Sequence, residues 1–271
     1  MISKIVLIIV VAAALAGCGV GGSSNGRRTV VAAFYPVAFA AQQIGGSAYD
    51  VENLTPPGVE PHDLELSPRT VARIEQADVV LYLGHGFQPA VTDAANAGKG
   101  VRVDVLAGLP VHDDDPHVWL DPVLYERVVR RIATVLHQPA TGLLRKLALL
   151  DRDYRNGLRN CERHEIVTSH EAFGYLARRY GLEQIAITGI TPESEPSPRR
   201  LAEVIRLVQK THATTVFFET LVSPRLAKTV ARDVGARTAV LDPIESAEPG
   251  ETYLSLMRRN LAALRKALGC R

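Results

Sequence analysis

Three histidines and one aspartate stand out for where the chain puts them. His170 directly follows an apolar run ending at Ser169, and Asp242 directly follows another ending at Leu241. His62 lies in a Pro- and Gly-rich loop after Leu54, and His117 lies in Asp115-Pro116-His117-Val118-Trp119-Leu120-Asp121-Pro122, just ahead of a helical stretch. In open parallel sheets, ligands collect beyond the carboxyl ends of strands, where loops and helix N-termini converge. Three imidazoles and a carboxylate meeting there would form a metal site with four protein ligands. Singly, each residue also has an ordinary structural explanation. A loop histidine commonly serves the surface, and Asp242 before Pro243 can simply start a turn.

Other groups compete with these four. Glu219 follows a strand and rivals Asp242 for the carboxylate position, although hydrogen bonding around the ligands or to the next helix suits it better. His85, in Gly84-His85-Gly86, follows a strand and suits a cleft wall better than a ligand. His137, His164 and His212 fall at helix ends or turns and read as solvated. Two enzyme readings fare poorly. Four protein ligands would leave a zinc hydrolase no position for water. In a nucleophilic pair, Ser169 and His170 are neighbours in an extended segment and point to opposite sides.

The elements that must position these residues form an α/β pattern. Apolar or β-branched runs at Val30–Phe34, Val51–Leu54, Val79–Leu83 and Val101–Val105 alternate with helical or turn segments, and they resume at Glu165–Ser169, Gln184–Thr188, Thr215–Phe218 and Thr238–Leu241. Helices such as Leu201–Lys210 and Leu226–Val234 separate the second set. This predicts two βα lobes, 29–137 and 161–271, each built around a mostly parallel sheet, with the metal site in the cleft between them. Between the lobes, Thr141–Asn160 carries leucines at 143, 144, 147, 150 and 158 with no interior proline. Read as one helix it spans about 30 Å, a stiff connector within 138–160. Gly98-Lys99-Gly100 lacks the spacing and hydroxyl of a phosphate loop and reads as a turn.

The N-terminus reads as an export signal. Lys4 precedes an apolar run from Ile5 to Ala16, about twelve residues where a membrane span needs roughly twenty. Leu15-Ala16-Gly17-Cys18 then resembles a bacterial lipobox, which makes 1–17 a signal peptide, Cys18 the acylated residue and 18–28 a Gly- and Ser-rich tether. With Cys18 acylated, Cys161 and Cys270 remain as an even pair in an oxidising compartment, and a disulfide between them is expected. Across 271 residues, 31 basic side chains against 29 acidic ones, 46 % hydrophobic content and only 6 % aromatic exclude a disordered chain and a nucleic-acid binder acting through bulk charge.

Several segments in order carry a family resemblance: Gly58-Val59-Glu60-Pro61-His62-Asp63 with Glu65-Leu66-Ser67-Pro68, Asp115 to Pro122, Thr168 to Tyr175, Phe218 to Pro224, and Leu241-Asp242-Pro243. Together they resemble the zinc- and manganese-binding solute-binding lipoproteins of ABC importers, the ZnuA/TroA-like group, from about Thr29 onward. The resemblance implies two lobes joined by a long helix around one metal ion, with ligands at the positions of His62, His117, His170 and Asp242. It implies a receptor, not an enzyme, anchored by lipid on the extracytoplasmic face of the membrane and delivering its metal to an ABC permease. Within the family, histidine at the position of His170 marks zinc-type members and a carboxylate marks manganese-type ones. Zinc is therefore the expected cargo, ahead of manganese or iron. Other readings are an adhesin that uses the metal only for stability and the zinc hydrolase set aside above. Val111-His112-Asp113-Asp114-Asp115 is short and acidic where zinc-type members often carry a histidine-rich loop.

Overall fold

A computed structural model of the chain describes residues 26–192 and 195–271. The signal peptide, Cys18 and most of the tether lie outside the described residues. Among those residues no helix is long and apolar enough to cross a membrane.

The first lobe runs β1 (Arg28–Ala32), α1 (Tyr35–Gly45), β2 (Tyr49–Asn53), α2 (Pro68–Gln76), β3 (Val79–Tyr82), α3 (Pro89–Ala97), β4 (Val101–Asp104) and α4 (Pro122–Leu136). After α5 (Thr141–Leu158), the second lobe runs β5 (Glu165–Thr168), α6 (Gly174–Tyr180), β6 (Glu183–Ala186), α7 (Pro198–Thr211), β7 (Thr215–Phe218), α8 (Arg225–Val234), β8 (Arg237–Val240) and α9 (Tyr253–Leu268). The sheets have orders β2-β1-β3-β4 and β6-β5-β7-β8, and every pairing is parallel. Parallel strands covered on both faces need continuous apolar runs, and this sorts the strands by position. Central β1, β3, β5 and β7 carry three successive buried residues each, whereas the outer strands β4 and β8 are largely exposed.

The strands end earlier than the apolar runs suggested. Ala33, Phe34 and Leu54 continue β1 and β2 into the loops, where Ala33 N–H still donates to Leu81 O and Leu54 N–H to Ala32 O. Gly98-Lys99-Gly100 leads into β4 as a turn, and Gly100 is required there, because a Cβ would sit 2.0 Å from Ala77 O.

α5 buries Leu143, Leu147, Leu150, Tyr154 and Leu158, a stripe at helical spacing that packs against α4 and α9. One apolar cluster runs from the first sheet through α4, α5 and α9 to α6, and a smaller one fills the space between the second sheet and helices α7 and α8. Cys161, just past α5, is bonded to Cys270 at the end of α9, the expected disulfide.

Candidate metal centre

The first strand of each sheet, β1 and β5, lies beside the point where the strand order reverses, and the loops at the carboxyl ends there face the cleft. His62 sits in a one-turn 3-10 segment, Pro61–Asp63, started by Pro61 and capped by Glu60, whose Oε1 accepts the His62 N–H at 3.1 Å. Its ring and that of Phe87 meet in a T-shaped contact, with centroids 4.6 Å apart. His117 opens a second 3-10 turn, Val118–Leu120, held from behind by α4. Asp121 caps α4 by accepting N–H groups of Val123 and Leu124, and Trp119 is locked among Phe34, Phe87 and the Pro243 carbonyl. His170 lies two residues past β5 and is fully buried.

These three imidazoles converge, and the carboxylate that joins them is Glu245. One ligand atom from each of His62, His117, His170 and Glu245 lies within 4.8 Å of all the others, the one cluster of this kind among the described residues. The Nε2 atoms of His117 and His170 are 3.3 Å apart, and Glu245 Oε1 is 3.5 Å from Nε2 of both His62 and His117. The outer nitrogens face carboxylates. His117 Nδ1–H donates to Asp115 Oδ1 at 2.7 Å, and His170 Nδ1 lies 2.6 Å from Glu219 Oε1, off the axis of a straight hydrogen bond. Glu219 also accepts from the Ser169 hydroxyl, so Ser169 is turned to Glu219 and not to its neighbour's ring.

Asp242, expected as the carboxylate, is placed elsewhere. Its Oδ1 accepts the Ile244 N–H at 2.7 Å in an Asx turn, its Oδ2 lies 3.4 Å from Arg259, and Asn260 brackets its backbone on both sides. The turn runs through Pro243 into Ile244 at φ 61°, a left-handed conformation rare for a β-branched residue, and delivers Glu245 to the cleft. The sequence did carry a signal for this. An Asp-Pro pair favours turn initiation, which uses up the aspartate and leaves the next carboxylate free.

The remaining histidines keep away from the cluster. His85 is exposed and 3.2 Å from Asp114, and His112, His137, His164 and His212 are exposed as well. His137 and His212 occupy left-handed positions ending α4 and α7.

Electrostatically the site is a desolvated cage. Burial would raise Glu245, but the His117 and His62 imidazoles outweigh it and hold its carboxyl far below the usual range. Burial would lower His117, but Asp115 and Glu245 push it up to about 9. His62 is lowered, chiefly by burial. Both Glu245 oxygens and His62 Nε2 are buried without a hydrogen-bond partner. Buried polar atoms without partners are costly, and a cation bound by three nitrogens and a carboxylate would satisfy them together.

Two parallel-sheet lobes clasping a buried nitrogen- and oxygen-donor cage define a two-lobed metal-binding protein. The chain belongs to the ZnuA family, described as zinc-uptake complex component A, periplasmic, whose pattern matches residues 30–267. Among similar proteins, the zinc-binding lipoprotein AdcA of Streptococcus pneumoniae is 33 % identical over 290 residues, covering 93 % of this chain. This chain spans only 58 % of that relative's length. The high-affinity zinc uptake system protein ZnuA of Bacillus subtilis is 32 % identical over 288 residues, covering 92 % of this chain and 90 % of its own. A solved structure of the laminin-binding protein Lmb of Streptococcus agalactiae, described as bifunctional with adhesin and metal transporting activity, superposes with a TM-score of 0.84. It is 32 % identical over 89 % of this chain and 99 % of its own.

Proposed function

We propose that this protein is a zinc-capturing receptor that holds one ion through His62, His117, His170 and Glu245 and passes it to an ABC permease. The observation that carries the reading is the buried cluster itself, in which the Glu245 oxygens and His62 Nε2 are left without a hydrogen-bond partner. Three imidazole nitrogens and one carboxylate suit tetrahedral zinc better than manganese, which prefers more oxygen donors. The names of the streptococcal and Bacillus relatives agree with zinc. Four protein ligands fill the coordination sphere, which suits a cargo held and released more than a catalytic ion awaiting water. The lipobox at Cys18 fits anchoring on the extracytoplasmic face.

Elemental analysis of untagged protein purified without chelator should find one equivalent of zinc per chain. Intrinsic affinity favours zinc over manganese at almost any such site, so the cargo is decided in cells. Growth of a deletion strain should be restored by added zinc. Restoration by manganese and not zinc would overturn the zinc assignment. Cys18→Ala should release the protein from membranes or block its processing, and unchanged retention with normal cleavage would remove the lipid anchor from the proposal.

A further inference from the structure

Asp115 is not one of the four clustered donors, yet its carboxylate and backbone are held from both lobes. Its Oδ1 accepts two N–H groups from His117, the backbone one at 3.0 Å and Nδ1 at 2.7 Å. Both partners are buried, the His117 side chain completely and that of Asp115 to 10 % exposure. A carboxylate can only accept here, so Nδ1 must carry a proton, and Nε2, the nitrogen left for the metal, faces His170 and Glu245. The segment holding Asp115 is fixed by the other lobe. The Tyr175 hydroxyl, on α6, donates to Asp115 O at 3.0 Å and accepts the His112 N–H at 3.0 Å, closing the His112–Asp115 turn. Gly174 lies against Asp115 Oδ2, where a Cβ would approach to 3.3 Å. The Arg178 guanidinium covers the outer face of the Tyr175 ring at 4.7 Å.

We infer that Tyr175 and Asp115 are positioning residues for metal capture: a hydroxyl from the second lobe sets the turn whose carboxylate fixes the ring and proton of His117 in the first. His117, one of the four cage ligands, is thereby oriented only when the lobes are docked. The inference rests on the proposed zinc site but concerns groups outside it. Partners that orient a metal-binding histidine are worth 10- to 100-fold in affinity.

The test uses Asp115→Asn, Tyr175→Phe and the double variant. Zinc affinity is measured by chelator competition, and the His117 Nδ1 proton is followed by 15N-edited NMR in the metal-free protein. The wild type should show a slowly exchanging, carboxylate-bonded Nδ1 proton. Asp115→Asn leaves only a neutral, weaker acceptor, so that proton should lose its low-field shift and exchange much faster, and zinc should bind about 10- to 100-fold more weakly. Tyr175→Phe should keep the signal, speed its exchange and weaken zinc several-fold. The double variant should be no worse than Asp115→Asn, because the two side chains act in one line. Tyr175→Phe removes one hydroxyl, so the question stays decidable should Asp115→Asn fail to fold, and melting curves verify each variant. Wild-type affinity in both single variants would overturn the inference, as would losses that multiply in the double variant. A wild-type protein that binds no zinc would instead defeat the proposed function, while the Nδ1 proton would still decide whether His117 is held as inferred.

Discussion

Glu245 and Asp242 stand three positions apart, and only one reaches the cage, so isosteric substitutions separate their roles. Glu245→Gln keeps the shape and removes the charge that offsets the cation, and it should weaken zinc more than 100-fold, beyond what an orienting partner is worth. Asp242→Asn can still accept the Ile244 N–H and hold the Asx turn, so its affinity should stay within tenfold of wild type by the same titration. The reverse order would return the carboxylate assignment to Asp242. The three histidines were legible because each sits at a strand end or in a Pro-marked loop, and parallel sheets send such positions to the cleft. Glu245 was legible only in part: the Asp242-Pro243 pair signals a turn that occupies the aspartate, but the left-handed Ile244 that brings Glu245 to the cleft is favoured by no local propensity and is enforced by the Asp242 bonds and the Trp119-to-Pro243 contact. The protonation of His117 adds a dependence on pH. Its value, raised to about 9 from an ordinary 6.5, means zinc must displace a proton below that pH, so apparent affinity should fall by up to tenfold per unit as pH drops from 9. For the metal-free fold the sign is opposite. Stability from a histidine raised on folding is fully present below 6.5 and is lost as pH climbs through about 9. The rise in Tm on adding zinc should therefore grow between those pH values, and thermal scans with and without chelator measure it. A zinc-induced rise that stays flat across that range would contradict the raised value.

At the scale of elements, the hydrophobic pattern placed the eight strands and α5 to within a few residues, because the strands are short runs bounded by turn residues and α5 carries its leucines at helical spacing with no interior proline. What periodicity leaves open is how elements meet. Nothing in the stripe Leu143, Leu147, Leu150, Tyr154 and Leu158 says that its partners are α4 and α9, since contacts between distant segments depend on shape as well as pattern. The cysteines mark one such meeting. Cys161–Cys270 joins the end of α5 to the end of α9 across 109 positions, and backbone bonds reinforce it: Glu162 and Arg163 donate to Leu268 O, and Arg271 donates to Asn160 O. Closing a loop of that length stabilises by at most about 4.7 kcal/mol in the chain-entropy model, and native bridges typically contribute about 2–4. Cys161→Ser with Cys270→Ser should lower Tm by roughly 5–10 °C while leaving zinc affinity unchanged, because the bridge is remote from all four ligands. Calorimetry of the variant, with thiol titration of the denatured wild type finding no free groups at these positions, checks both halves. A loss of zinc affinity without a loss of Tm would mean that the bridge acts on the cleft.

The whole molecule has two sheets but not two independent cores. The larger apolar cluster runs unbroken from Val30 in the first sheet through Leu147 and Tyr154 on α5 to Tyr253 and Leu264 on α9. Tyr253 stacks on Phe39 with centroids 5.8 Å apart and donates to Trp119 O at 2.6 Å, so a C-terminal helix is packed into the first lobe. Arg179 grips Asp121 across the cleft with contacts of 2.8 and 3.0 Å, and Gly58 N–H reaches Ser246 Oγ at 3.0 Å. Exposing one lobe would strip the apolar surface of the other, so the lobes should unfold together in a single calorimetric transition, without the two steps expected of separately packed domains. Leu147→Ala, in the shared stripe and fully buried, should cost about 2–5 kcal/mol and move that one transition downward as a unit. Zinc, bound by residues from both lobes, stabilises only the docked fold. At a free concentration a thousandfold above Kd it adds about 4.1 kcal/mol by mass action, roughly 10 °C in a chain of this size. The wild type and Leu147→Ala should show the same zinc-induced shift, since the leucine lies in α5 and the ligands do not. Two resolved transitions, of which zinc moves only one, would show that the lobes fold separately and that the continuous core does not couple them.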